Sequence, residues 1–128
     1  MSKRLYFTFI LGGLTVVLGA FGAHLLEKLL SVDQLASFET GLRYQFYHVF
    51  FLMILSLIPR VEEKDKNTIA LLIYTGLLLF SGSIYLLSLQ DVFGLDLGFL
   101  GPVTPVGGSL LIFAWFYTAY KIKTYSPG

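Results

Sequence analysis

Five side chains able to hydrogen bond or carry charge stand in or beside apolar runs: His24, Arg43, Tyr44, Gln45 and His48. On a helix, Tyr44 and His48 are i,i+4 neighbours and Gln45 and His48 are i,i+3, so the three occupy adjoining positions on one side. Farther along, Ser81, Ser83 and Tyr85 interrupt an uncharged run, and Thr104-Pro105 opens another. Polar and ionisable groups inside an apolar bundle are costly and face its interior or a wet cavity. With two histidines and an arginine, this set would be donor-rich and electropositive, suited to an anionic or polar headgroup, a carboxylate or a water chain. The competing reading is that each group hydrogen bonds a neighbouring helix and holds the bundle together.

Enzyme chemistry finds less support. The serines of Phe80-Ser-Gly-Ser-Ile-Tyr85 lie inside an apolar run without the strand–turn–helix context of a nucleophile elbow. The absence of cysteine removes disulfides, thiolate ligands and cysteine nucleophiles together. His24 and His48 would need Glu39 as a third metal ligand, at a spacing that matches no zinc motif. No catalytic residue, metal or cofactor is expected.

The elements that must position these groups are membrane helices. Hydrophobic residues make up 55% of the 128 and charged residues 13%, with a mean hydropathy of +0.75. A soluble domain of this size is far less apolar. A net charge of +1, with basic residues scattered singly or in pairs, excludes nucleic acid as a partner. Lys3-Arg4 followed by an apolar run ending near Ala20-Phe21-Gly22 could pass for a secretory signal. The run is longer than a signal core, however, and three more follow it.

A spanning helix needs about 20 mostly apolar residues. Four segments qualify, at 5–26, 39–58, 68–89 and 104–120, forming an all-α integral membrane bundle in one transmembrane domain over 1–128. The second is clearly apolar only from Tyr44 to Ile58 and must continue upstream through an amphipathic stretch. Ser31 or Asp33 would cap its start, and Glu39 with Arg43 would pair across one turn. The fourth would begin with Thr104 as N-cap and Pro105 at the first helical position, about 25 Å long, with segment 94–101 covering it as an interfacial or re-entrant loop. Lys3, Arg4, Arg60, Lys64, Lys66, Lys121 and Lys123, seven of nine basic residues, fall on one side if both termini are cytoplasmic. The charge-balanced segment 60–67 reads as a solvated turn.

Small residues mark where helices approach closely. Thr15, Gly19 and Ala23 recur every four residues, and Gly12 lies a heptad before Gly19. Gly76 and Gly82 in the third span, and Gly107 and Gly108 in the fourth, do similar work. His24 ends the first stripe. His48 lies ten residues above Ile58, about 15 Å into the bilayer, with Arg43 higher still. Matched depth then assigns His24, Arg43, Tyr44, Gln45, His48, Ser81, Ser83 and Thr104 to one outer-half polar pocket. Arg43 could instead snorkel to the headgroups. Tyr85, Trp115, Tyr117 and Tyr120 read as interfacial or packing aromatics.

The chain also resembles a known family. Gly19-Ala-Phe-Gly-Ala-His24, Phe38 with Tyr44-Gln45 and His48, Leu79-Phe-Ser-Gly-Ser-Ile-Tyr85, and Thr104-Pro-Val-Gly-Gly108 with Trp115 follow the successive motifs of the domain-of-unknown-function 423 family. Those are small four-span membrane proteins that include transmembrane protein 256. Leu25 and Ala114 depart from the pattern, which has a small residue and a glycine there. The resemblance implies a bacterial inner-membrane type of protein, or an organellar relative, without an agreed activity; its motif positions here are His24, Tyr44, Gln45, His48, Ser81, Ser83, Thr104 and Pro105. The expected function is binding of a lipid headgroup or small polar ligand from the membrane. A scaffold that stabilises a membrane complex or a homo-oligomer is the alternative, and proton or solute transport is third.

Overall fold

A computed structural model describes residues 2–127, and every regular element among them is helical. α1 (Ser2–Val17) passes through a π-helical turn (Leu18–Gly22) into the short α2 (Ala23–Leu26), so the first rod is continuous. α3 (Val32–Leu57), α4 (Glu63–Phe93) and α5 (Val103–Thr124) follow, with a single 3-10 turn at Gly98–Leu100. Three helices are long and apolar enough to cross a membrane: Lys3–Leu26, Glu63–Phe93 and Gly98–Thr124. α3 has 26 residues, about 39 Å, but Asp33, Glu39 and Arg43 make its first half polar.

Local chemistry sets the ends. Ser31 caps α3 in a reciprocal box: its hydroxyl accepts from the Gln34 N–H at 3.1 Å, and the Gln34 amide oxygen accepts from the Ser31 N–H at 2.9 Å. Gly94, at φ 66°, takes the left-handed conformation that ends α4, a position at which a side chain would be strained.

Several expectations are corrected. Segment 60–67 is not a solvated turn throughout, because α4 starts at Glu63 and buries Asp65 and Lys66. The Lys66 ammonium donates to the Ser56 carbonyl at 3.3 Å, satisfying one of the open carbonyls at the end of α3, and Asp65 pairs with Lys121 at 3.4 Å. Thr104 is not an N-cap. α5 begins one residue earlier, and the Thr104 hydroxyl lies 2.6 Å from that of Ser83. At 22 residues, about 33 Å, α5 is also longer than expected. Arg43 donates to the Thr40 hydroxyl at 3.1 Å rather than pairing with Glu39.

Adjacent helices run antiparallel, with α4 against both α3 and α5 and with α1 against α3. The core has two parts. Leu52, Leu55, Ile69, Ile73, Leu111 and Ala114 fill the half nearer both termini, and Leu30, Phe38 and Leu42 fill the other. At the first end Arg4 ties α1 to α4, donating to Asn67 Oδ1 at 2.7 Å and Glu63 Oε2 at 2.9 Å.

Small residues set the approaches. A Cβ on Gly12 would stand 3.3 Å from Val49, and one on Gly22 would stand 3.4 Å from the buried Phe38 ring. Gly22, the last residue of the π turn, faces that ring, which itself lies 5.1 Å from Tyr85. Gly19 faces Leu42 and Gly108 faces Phe80, whereas a Cβ on Gly82 would touch only Leu78 of its own helix. Gly107 sits directly on the α4 backbone: a Cβ there would collide with the Phe80 nitrogen and stand 2.7 Å from the Leu79 carbonyl carbon.

Candidate functional site

The polar residues form separate clusters at different angles around the bundle. Gln45 is the junction of three helices. The Tyr85 phenol donates to Gln45 Oε1 at 2.6 Å, Gln45 Nε2 donates to Thr15 Oγ1 at 2.6 Å, and the Thr15 hydroxyl donates to the Leu11 carbonyl at 2.7 Å. Each member has its partner, so the junction joins α1, α3 and α4 and leaves little bonding capacity for a ligand. Ser81 donates to the Gly41 carbonyl at 2.9 Å, where a Cβ on Gly41 would meet the Tyr85 ring at 2.7 Å. Ser83 and Thr104 join α4 to α5.

His48 points elsewhere. It is buried on α3 and faces α5, where the Trp115 indole N–H donates to its Nε2 at 3.0 Å. An indole N–H can only donate, so Nε2 must be the acceptor. Nδ1, 2.6 Å from the Tyr44 carbonyl, therefore carries the proton of a neutral ring. Phe51 completes the packing, its ring 4.6 Å from Trp115 in an edge-on arrangement.

His48 and Trp115 lie in a groove of about 770 Å³ between α3 and α5. These two helices do not pack on each other along their lengths, because α4 lies against both. Tyr44, Tyr47, Phe50 and Ile54 form much of one wall, while Trp115, Ala119 and Ile122 form the other. Most of this lining is apolar or aromatic and open to the surroundings of the bundle. The groove follows α3 from Tyr44 to Ile58, about 21 Å at 1.5 Å per residue.

The eight expected pocket residues thus do not share one cavity. Tyr44 and His48 line the α3–α5 groove. Gln45, Ser81 and Ser83 are buried and bonded within the bundle. Thr104 borders a smaller cavity of about 340 Å³ with Asp33, Gln34, Ser37 and Ser88. His24 and Arg43 are exposed and do not line the groove that holds His48. Equal height along the helix axes did not bring them together, because residue angle decides which neighbour a side chain meets.

The sequence reads Trp115 as an interfacial or packing aromatic, yet it supplies the contact that orients His48. Its indole N–H, a donor within an apolar helix, was the available signal, since such a group requires an acceptor. At the end of the groove marked by Ile58 and Ile122, a third cavity of about 180 Å³ brings Arg60, Lys64 and Lys121 together with Glu62 and Asp65. The Arg4 guanidinium donates to Glu63 nearby and, as the largest influence, holds that carboxyl below the usual carboxylate range.

The comparisons place this arrangement among bacterial membrane proteins. The family described as protein of unknown function DUF423 matches residues 18–108. A UPF0382 membrane protein of Staphylococcus saprophyticus is 36% identical, with 83% of this chain and 88% of the relative covered. The UPF0382 membrane protein YwdK of Bacillus subtilis is also 36% identical, with 80% of each chain covered. The UPF0382 inner membrane protein YgdD of Escherichia coli shares 36% identity over 90% of this chain and 86% of its own. No solved structure matches the chain. With the family model spanning the Gly19–His24 motif, Gln45, His48 and the Gly107 crossing, the chain belongs to the DUF423 family of membrane proteins.

Proposed function

We propose that this is a four-span inner-membrane protein, with both termini cytoplasmic, that holds a lipid-like amphiphile in the lateral groove between α3 and α5. The carrying observation is the groove, about 770 Å³ and lined mainly by aromatic and aliphatic side chains beside the His48–Trp115 contact. Gln45 and Ser83, by contrast, already spend their side-chain hydrogen bonds on partners within the bundle. The apolar chain of an amphiphile suits the groove better than the polar ligand that an outer-half pocket would take. Tyr44 and His48 remain in the site, at its upper end.

Continuity supports four spans: where α1, α4 and α5 cross the bilayer, α3 would cross beside them, since it packs on α1 and α4. Its polar first half then reaches the outer headgroups, where Arg43 is exposed. The basic ends of α1, α4 and α5 support cytoplasmic termini.

The test uses Trp115, the chain's single tryptophan, as a reporter. In bilayers containing phospholipid brominated on the acyl chain, a chain in the groove quenches Trp115, and Ala119→Phe, which fills the groove, lowers that quenching. Unchanged quenching in the filled variant would show that no lipid chain occupies the groove. A second reading, a scaffold or homo-oligomer, is favoured by the long row of exposed apolar residues on the first rod, including Phe7, Ile10 and Leu14 of α1 and Phe21 of the π turn. Cross-linking through that face would recover a stoichiometric partner under this reading.

A further inference from the structure

The groove does not end in apolar surface. Ile58 and Ile122 line its lower end, and Arg60 and Lys121 follow within two residues of them. Both basic residues border the same cavity of about 180 Å³, together with Tyr125 and Ser126. Two acids are present: Asp65 lies 3.4 Å from Lys121, and Glu62 lies 3.6 Å from Lys64. Arg60 has no ion pair among the described residues and is exposed. After the two pairs cancel, the groove mouth retains positive charge.

We infer that the occupant is an anionic glycerophospholipid of the cytoplasmic leaflet, with one acyl chain along the α3–α5 groove and its phosphate at Arg60. The inference rests on the groove reading above and adds the lipid class, the leaflet and the headgroup contacts. One leaflet supplies about half of a hydrocarbon core roughly 30 Å thick, about 15 Å, so a chain entering at Ile58 would fill the groove as far as about His48 and leave its Tyr44 end free. Shape also favours a flexible chain over another helix. Close helix contacts in membranes use small residues, whereas Tyr47, Phe50, Ile54 and Trp115 present bulk along the groove. Charge selects the headgroup, since a juxtamembrane cation attracts anionic lipid from the cytoplasmic leaflet.

The experiment compares brominated phosphatidylglycerol with brominated phosphatidylcholine, each at low mole fraction in phosphatidylcholine bilayers containing the full chain. Trp115 fluorescence is the readout. Phosphatidylglycerol should quench preferentially, by up to about fivefold in apparent association for each basic contact. Arg60→Gln should remove the preference, whereas Lys3→Gln on α1 should preserve it. Ala119→Phe should reduce quenching by both lipids, and helical content and melting temperature check that each variant remains folded. Equal quenching by both lipids, still sensitive to Ala119→Phe, would overturn the anionic-lipid inference and leave the groove reading standing. A preference reduced equally by Lys3→Gln would overturn the headgroup assignment in favour of general surface charge. Quenching insensitive to Ala119→Phe would overturn the groove reading itself.

Discussion

Trp115 on α5 donates its indole N–H to Nε2 of His48 on α3 at 3.0 Å, linking two helices that do not pack along their lengths. The contact fixes the histidine as the Nδ1–H tautomer because the opposite nitrogen faces the Tyr44 carbonyl. Trp115→Phe keeps an aromatic ring against Phe51 but removes the donor. A hydrogen bond within a membrane bundle contributes about 0.6 kcal/mol on average and up to about 1.7 kcal/mol. A double-mutant cycle of Trp115→Phe with His48→Ala, measured by reversible unfolding in mixed micelles, should therefore give a coupling of about 1 kcal/mol. Additive effects would remove His48–Trp115 as a link between the helices.

Gln45 offers a sharper contrast, because its amide serves two helices at once. Gln45→Leu deletes the acceptor for Tyr85 and the donor to Thr15 while keeping similar bulk. Two buried partners are then left short of a bond, so a loss of about 2 kcal/mol is expected, against about 1 kcal/mol for Tyr85→Phe. Unfolding free energies of the two variants decide it. Equal losses would mean that the Thr15 arm carries no energy.

These two residues also show what could be read before the fold was known. A helix rises 1.5 Å per residue, so the height of each polar group along its span is legible once the span is recognised. Angle is not legible in the same way. Three residues separate Gln45 from His48, enough to turn Gln45 toward α1 and α4 while His48 turns toward α5. Arg43 turns outward from both. Glycines were informative when they marked contact, as at Gly12 and Gly107, but Gly82 looks the same in sequence and meets no other helix. Segment 60–67 misled because alternating charges suggest solvent, whereas Lys66 and Asp65 find partners brought close only by the folded bundle.

The Gly107 crossing predicts a large steric effect from one methyl group. Gly107→Ala places Cβ against the Phe80 and Leu79 backbone, where no side-chain rotation relieves the collision. Separating α4 from α5 should cost about 3 kcal/mol or more, near the upper end of ordinary overpacking. Gly13→Ala, with open space around its new Cβ, should be neutral or slightly stabilising through helix propensity. The pair is compared by thermal unfolding in the same detergent. Similar melting temperatures would rule out the close backbone crossing.

The Arg4–Glu63 contact predicts acid sensitivity at one end of the bundle. Arg4 holds the Glu63 carboxyl below its ordinary value of 4.5. The folded state therefore binds the proton less readily than the unfolded state, and the contribution is fully present above the ordinary value and lost as pH falls through the folded one. Unfolding midpoints followed from neutral to acidic pH should decline less steeply in Glu63→Gln. An identical acid slope in both proteins would remove this ion pair as a source of the decline.

Topology connects the proposed groove to its leaflet and can be tested without removing native thiols, because the chain contains no cysteine. Lys64→Cys lies near the exposed start of α4, and Asp96→Cys lies between α4 and the 3-10 turn. With cytoplasmic termini, an impermeant maleimide added to intact cells should label position 96 and spare position 64, and inverted vesicles should reverse the pattern. The basic residues favour this orientation because Arg60, Lys121 and Lys123 then share the side that retains Lys and Arg. Labelling of position 64 from outside would invert the molecule. The mouth of the α3–α5 groove would then open toward the outer leaflet, and the cytoplasmic lipid assignment would fall with the orientation.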